Sequence, residues 1–204
     1  MELKQLLEVS LRRPAELPDV LSPIKLKLNS IFEGALFIAA TTSLLNSSLD
    51  RLIFKSSENA SKLLEKNNSL SFIFDPLSMF AFELIFIVTV MISILFFSSF
   101  SSQKVSVEEL GKNVLLLFLA AFIFKFIQVF FIFISIDIYY ILRFFEVLWF
   151  IWALSSVVSR LYGFKSILLT AFLGTFVVSL TMGFLFMMFV SLIKLFIVGS
   201  MPNV

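Results

Sequence analysis

"LAAFIFKFIQVFF", Leu119 to Phe131, is an apolar run with an ammonium group, Lys125, near its centre. Nothing in it breaks a helix, and it lies inside a longer stretch, 114–136, of the length a bilayer crossing needs, about 20 mostly apolar residues. A lysine at the middle of such a helix costs about 3 kcal/mol, while each Leu, Ile or Phe returns roughly 0.3–0.6 kcal/mol. The flanking residues therefore carry Lys125 into the membrane. Steps of four and three from it reach Ala121, Gln128, Ile132 and Ser135, a small and polar stripe, whereas Phe122, Phe124, Phe126, Phe130, Phe131 and Phe133 lie mostly elsewhere. Lys125 is thus expected to face protein, and an ionised group there requires a partner.

The same length test applied outward finds four more spans, at 24–49, 77–100, 138–159 and 166–198. The expected fold is all-α, a polytopic transmembrane helix bundle of five spans over 24–198, with a segment 1–23 before it and a tail 199–204 after it. The fifth span exceeds a perpendicular crossing and should tilt or project. Spans three and four are separated by almost nothing around Asp137 and form a tight hairpin. Composition agrees: 59% of residues are hydrophobic, 28 of 204 are Phe, and the mean hydropathy is +1.03. A soluble domain of this size has no interior large enough for that apolar surface, so the solvent is lipid.

The first segment, "MELKQLLEVSLRRP", sets Leu3, Leu6, Leu7 and Leu11 on one helical face and Lys4, Glu8 and Arg12 on others, up to Pro14. It reads as an amphipathic interfacial helix lying along the membrane surface, or as a cytosolic helix docking on the bundle. Residues 1–23 contain no apolar run long enough for a cleavable signal peptide, so the first span is expected to act as its own insertion signal. Lys4, Arg12, Arg13, Lys25, Lys27, Lys104, Lys112, Arg160 and Lys165 fall on one side of the bundle, against Arg51, Lys55, Lys62 and Lys66 on the other. Nine against four places the N-terminus in the cytoplasm and the C-terminus outside.

Chemistry is limited by what is missing. There is no Cys and no His, which removes thiolate nucleophiles, disulfides, the commonest general base and most zinc and haem sites. G-x-S-x-G is absent, and "GKN" at Gly111–Asn113 lacks the upstream glycine of a phosphate loop. Glu108 and Glu109 are adjacent but precede span three, where a helix-start role fits; Glu33 and Lys194 sit nearer span ends, where side chains snorkel. A net charge of +2 with no dense basic cluster gives no nucleic-acid footprint. The expected protein is non-enzymatic, without cofactor or metal, and its partners are the lipid bilayer, other membrane proteins or further copies of itself.

The candidate functional residues form an intramembrane polar cluster: Lys125, Gln128, Glu83, Arg143 and Glu146. Lys125 has two possible partners, Glu83 on span two and Glu146 on span four, and Arg143 and Glu146 are spaced i,i+3 for a pair of their own. The cluster is either a clamp fixing helix register, or the relay of a small transporter or channel using Glu83, Lys125 and Glu146. Small residues also recur every four positions, Ala35, Ala39, Ser43 and Ser47 in span one and Ala171, Thr175, Ser179 and Gly183 in span five. Such ladders let helices approach closely in lipid, and they predict a parallel pairing of spans one and five.

The "LRRP" segment before the first span, the five-span layout and "SRLYGFKSI" at Ser159–Ile167 together resemble the bacterial branch of the Yip family, the Ypt/Rab-interacting membrane proteins. The resemblance maps Tyr162, Gly163 and Phe164 onto the family's aromatic-Gly-Phe turn before the last span. It implies an integral membrane protein, here of a bacterial inner membrane, with a part in membrane organisation. The acidic signature of the eukaryotic members is not present, so Rab binding is not implied. The residues agree with a turn at this point: Gly163 permits a tight bend, and Tyr162 and Phe164 suit the membrane interface.

Overall fold

A computed structural model describes residues 3–56, 75–101 and 103–199, with side chains within the helices except at 3, 54–56, 186 and 189–199. Among the described residues every regular element is helical. Helix α1 (Leu3–Arg12), a 3₁₀ turn (Pro14–Glu16) and α2 (Leu17–Leu21) precede five long helices. These are α3 (Leu28–Ser56), α4 (Pro76–Phe97, continued by a 3₁₀ turn to Phe100), α5 (Val107–Ile132), α6 (Ile136–Tyr162) and α7 (Ile167–Gly199). All five are long and apolar enough to cross a membrane.

Helix boundaries follow from capping chemistry. Asp75 caps α4 by accepting from the Leu77 amide at 3.2 Å, with Pro76 at the first helical position, where its missing N–H costs nothing. Ser106 caps α5, accepting from the Glu109 amide at 3.1 Å. The third span therefore starts at Val107 rather than 114, and Glu108 and Glu109 stand in its first turn against the positive end of the helix dipole. The α5–α6 turn is Phe133–Ser135, so Asp137 belongs to the first turn of α6 and not to the connection. The first span also shifts, beginning at Leu28 and continuing past Leu49 to Ser56.

In the bundle α3 packs on α4 and α5, α5 on α6, and α7 on α4 and α6. Two glycines are tightly packed between α3 and α5. A Cβ on Gly34 would stand 2.8 Å from a Leu115 methyl, and one on Gly111 would stand 2.9 Å from Ile31. The first four spans each bury 33% of their most apolar window, the fifth only 6%, so α7 is peripheral. One end of the bundle, called proximal here, holds α2, the α4–α5 connection and the turn after α6. The distal end holds the end of α3, the start of α4 and the α5–α6 turn.

The N-terminal segment docks on protein. Leu6 and Val9 pack against the core, Ser10, Pro14, Leu17 and Leu21 are buried, and the segment runs along α5 and α6. The Trp149 indole, midway along α6, donates to the Leu11 carbonyl at 3.2 Å. Nearer the proximal end Arg160 donates twice to Asp19, at 2.8 and 3.2 Å. Lys112 donates to the carbonyls of Leu21 (2.7 Å) and Ile24 (3.2 Å). Of the two placements open to the segment, these contacts show the helix docked on the bundle. Leu6 and Val9 of α1 pack on the bundle while Leu7 and Leu11 are half-buried, and Lys112, expected in a loop, is a buried member of α5 that ties the segment down.

Candidate functional site

All five spans line one open cavity of about 620 Å³. Along α6 it reaches from Arg143 to Val158, about 22 Å at the α-helical rise of ~1.5 Å per residue. Its walls are mostly carbon, including Phe86, Phe118, Phe150 and Ile94, and the Phe118 and Phe150 rings meet at 4.9 Å, tilted by 53°. The ionisable side chains among its lining all lie toward the distal end.

That end is assembled from four helices. Lys125 of α5 meets Glu83 of α4 at 3.1 Å, with 21% and 18% of the side chains exposed. The same Glu83 oxygen accepts from the Asn46 amide of α3 at 2.9 Å. Of the two carboxylates open to Lys125 in the sequence, packing brings up Glu83. Glu146 instead accepts from Gln128, a buried contact of 2.8 Å that joins α6 to α5. Arg143 does not take Glu146 as its i,i+3 partner. Its guanidinium donates to the Tyr139 hydroxyl at 3.1 Å and stands 4.0 Å from Asp50 of α3. That last separation is an ion pair too long for a hydrogen bond.

Asn46, Asp50 and Tyr139 are therefore members of the cluster that the sequence reading left out. A signal for two of them exists: Thr42, Asn46 and Asp50 step by four along α3 and share one face. A span ending at Leu49 leaves Asp50 outside it. Lower in the cavity Ser155 and Thr170 donate back to carbonyls one turn earlier, at 2.6 and 2.9 Å, which conceals their polarity. The buried Ser93 hydroxyl has no partner among the described residues.

The two small-residue ladders are not each other's partners: α3 packs on α4 and α5 and α7 on α4 and α6, with no substantial packing of α3 on α7 among the described residues. Ala35, Ala39, Ser43 and Ser47 are buried, at 1–6% exposure, within the core that α3 shares with α4 and α5. On α7 the packed stripe lies one residue earlier than the ladder: Thr170 is bonded to Ser159 at 3.0 Å, Gly174 lies beside Phe97, and Val178 packs on the core. Ala171 is half-buried, and Thr175, Ser179 and Gly183 are exposed. Thr175 and Ser179 face the cavity, while a Cβ on Gly183 would meet open space. Small side chains permit close packing without selecting a partner. Here their openness leaves a gap, and the cavity opens along α7.

At the proximal end Gly163 adopts φ +70°, the left-handed conformation that ends α6, and the Phe164 amide bonds back to Ser159 at 2.9 Å. The turn is packed into protein. Ser101 donates to the Tyr162 carbonyl at 2.8 Å, and the Phe164 ring meets Phe97 at 6.0 Å. Tyr162 is only 3% exposed, so its expected place at the membrane interface is corrected to a buried one. Lys62 and Lys66 of the topology count and tail positions 200–204 lie outside the described residues, as do the side chains of Lys55 and Lys194. Among the described residues no three acidic side chains converge as metal ligands. Comparison with protein-family models, curated proteins and solved structures returns no match.

Proposed function

We propose that this multi-pass membrane protein is non-enzymatic and works by holding a lipid inside its helix bundle, in the service of membrane organisation. The observation that carries the reading is the cavity: apolar walls, an opening along α7, and ionic groups confined to one end. This is the polarity profile of a lipid rather than of a soluble substrate. Helix length sets the depth. A 27-residue α6 is about 40 Å long, roughly 10 Å more than the hydrocarbon core. Arg143 and Glu146 lie seven and ten residues from its distal end, about 10–15 Å down, which with the excess shared between the two ends is about 5–10 Å inside the hydrocarbon core, where a headgroup reaches them through the cavity. The Lys/Arg asymmetry supports a distal end outside and an N-terminus in the cytoplasm, and the bacterial inner membrane rests on the Yip-like resemblance. The Yip-like type is supported by the Tyr162–Gly163–Phe164 turn alone.

The test uses native mass spectrometry of purified protein released from micelles doped with palmitoyl-oleoyl phospholipids. One lipid should be retained per chain. Ser179→Trp, which places an indole in the opening, should remove it, while Leu168→Trp on the exposed face of α7 should leave it bound. Equal retention by both variants would refute the reading. A second reading, passage of a small ion or solute, is favoured by the hydroxyls of Ser93, Thr175 and Ser179 along the cavity. Solute flux in proteoliposomes, abolished by Lys125→Leu, would establish it instead.

A further inference from the structure

We infer that the distal end of the cavity is a headgroup site for a zwitterionic phospholipid bearing a primary ammonium, with the phosphate on Arg143 and the ammonium on Asp50 and Glu146. This rests on the lipid-holding reading above and adds the chemistry of recognition. The groups at this end differ in how fully they are engaged. Lys125 and Glu83 neutralise each other at 3.1 Å, and Glu83 takes a second donor from Asn46. Arg143 is different. Of the five N–H donors of a guanidinium, one reaches Tyr139, and Asp50 is beyond hydrogen-bond range at 4.0 Å. The Arg143 side chain is 49% exposed, at the cavity rim. It is a planar, half-open fork of the kind that binds phosphate bidentately.

The carboxylates decide which phosphate-bearing head is admitted. Asp50, Glu83 and Glu146 stand against Lys125 and Arg143, three anions to two cations. With the Lys125–Glu83 pair closed, Arg143 is left with Asp50, which stands 4.0 Å away and accepts no hydrogen bond among the described residues, and with Glu146 one turn along α6, which accepts on one oxygen alone among the described residues. A head carrying only negative charge would put its phosphate beside the carboxylates of Asp50 and Glu146, and like charges brought together in a low dielectric repel strongly. A head that brings its own cation satisfies both signs. Ethanolamine places an ammonium two carbons from the phosphate ester oxygen, so its opposite charges sit about as close together as those of Arg143 and Asp50, in reversed order. A primary ammonium can donate hydrogen bonds to both carboxylates, which a quaternary ammonium cannot. The tail then follows the 22 Å apolar wall toward Val158, by the same ~1.5 Å rise per residue.

The test offers delipidated full-length protein an equimolar mixture of phosphatidylethanolamine, phosphatidylglycerol and phosphatidylcholine with identical acyl chains, and reads the bound species by native mass spectrometry. The ethanolamine lipid should be enriched about tenfold or more over each competitor, the discrimination expected of one charge-assisted hydrogen bond. Arg143→Gln should lower retention of all three lipids. Asp50→Asn should abolish the preference over phosphatidylglycerol while lipid is still bound. Thermal unfolding of each variant reports whether it is folded, and Leu168→Trp serves as the unaffected control. Binding that ignores the headgroup, or that prefers phosphatidylglycerol or phosphatidylcholine, overturns this inference and leaves the lipid-holding reading intact. Absence of any bound lipid from folded protein overturns both.

Discussion

Replacing Lys125 by leucine removes the ammonium that joins α5 to α4. Its Nζ lies 3.1 Å from Glu83, and both side chains are about four-fifths covered by protein. A hydrogen bond to a charged group is worth about 1.5–3 kcal/mol, but interhelical polar contacts in membranes average only about 0.6 and reach ~1.7 kcal/mol. Glu83 also keeps the Asn46 amide on the same oxygen, so it is not wholly stranded. Lys125→Leu should therefore destabilise by about 1–2 kcal/mol, which for a chain of this size lowers Tm by roughly 2–8 °C. Lys125→Glu should cost more, about 3 kcal/mol or above, because it places a third carboxylate beside Glu83 and Glu146. Adding Glu83→Lys should recover about 1 kcal/mol or more of that loss. Adding Glu146→Lys should recover less, since Glu146 is held by Gln128 and not by Lys125. The assay is thermal unfolding in detergent, followed by the fluorescence of Trp149 and Trp152 and analysed as a double-mutant cycle. A neutral or stabilising Lys125→Leu with no coupling to position 83, or better rescue by Glu146→Lys, would refute the clamp.

Gly111→Leu should destabilise by about 1–3 kcal/mol in the same assay, since a Cβ there already stands 2.9 Å from Ile31, whereas Gly183→Leu should be tolerated because its Cβ meets open space. Lys112→Met withdraws the donor from the Leu21 and Ile24 carbonyls. Hydrogen exchange should then rise across residues 3–24 while the long helices stay protected, and Arg160→Gln, which breaks an exposed ion pair, should change exchange much less. Reporter fusions after Val204 should be exported and fusions at Gln103 cytoplasmic; the reverse result would overturn the charge-asymmetry orientation.

The all-α class, the five spans and the inward aim of Lys125 were legible in the chain because they depend on local properties. Hydropathy over about 20 residues decides whether a helix enters lipid, and the 3.6-residue period decides which side chains share a face. Helix starts were less legible: Ser106 caps a helix seven residues before the point at which hydropathy rises enough to mark one. The partners were not legible at all. Glu83 and Glu146 are equally plausible for Lys125 by depth, and only the seating of α4 and α6 against α5 assigns one to Lys125 and the other to Gln128. The small-residue ladders of α3 and α7 have the same spacing, yet α3 buries its ladder and α7 turns its own toward the cavity and lipid. Asp50 joined the cluster only because α3 continues as helix beyond Leu49. In each case the periodicity states what a helix can offer. Which neighbour receives it is set by distances across the bundle, and these arise from the packing of all five helices together.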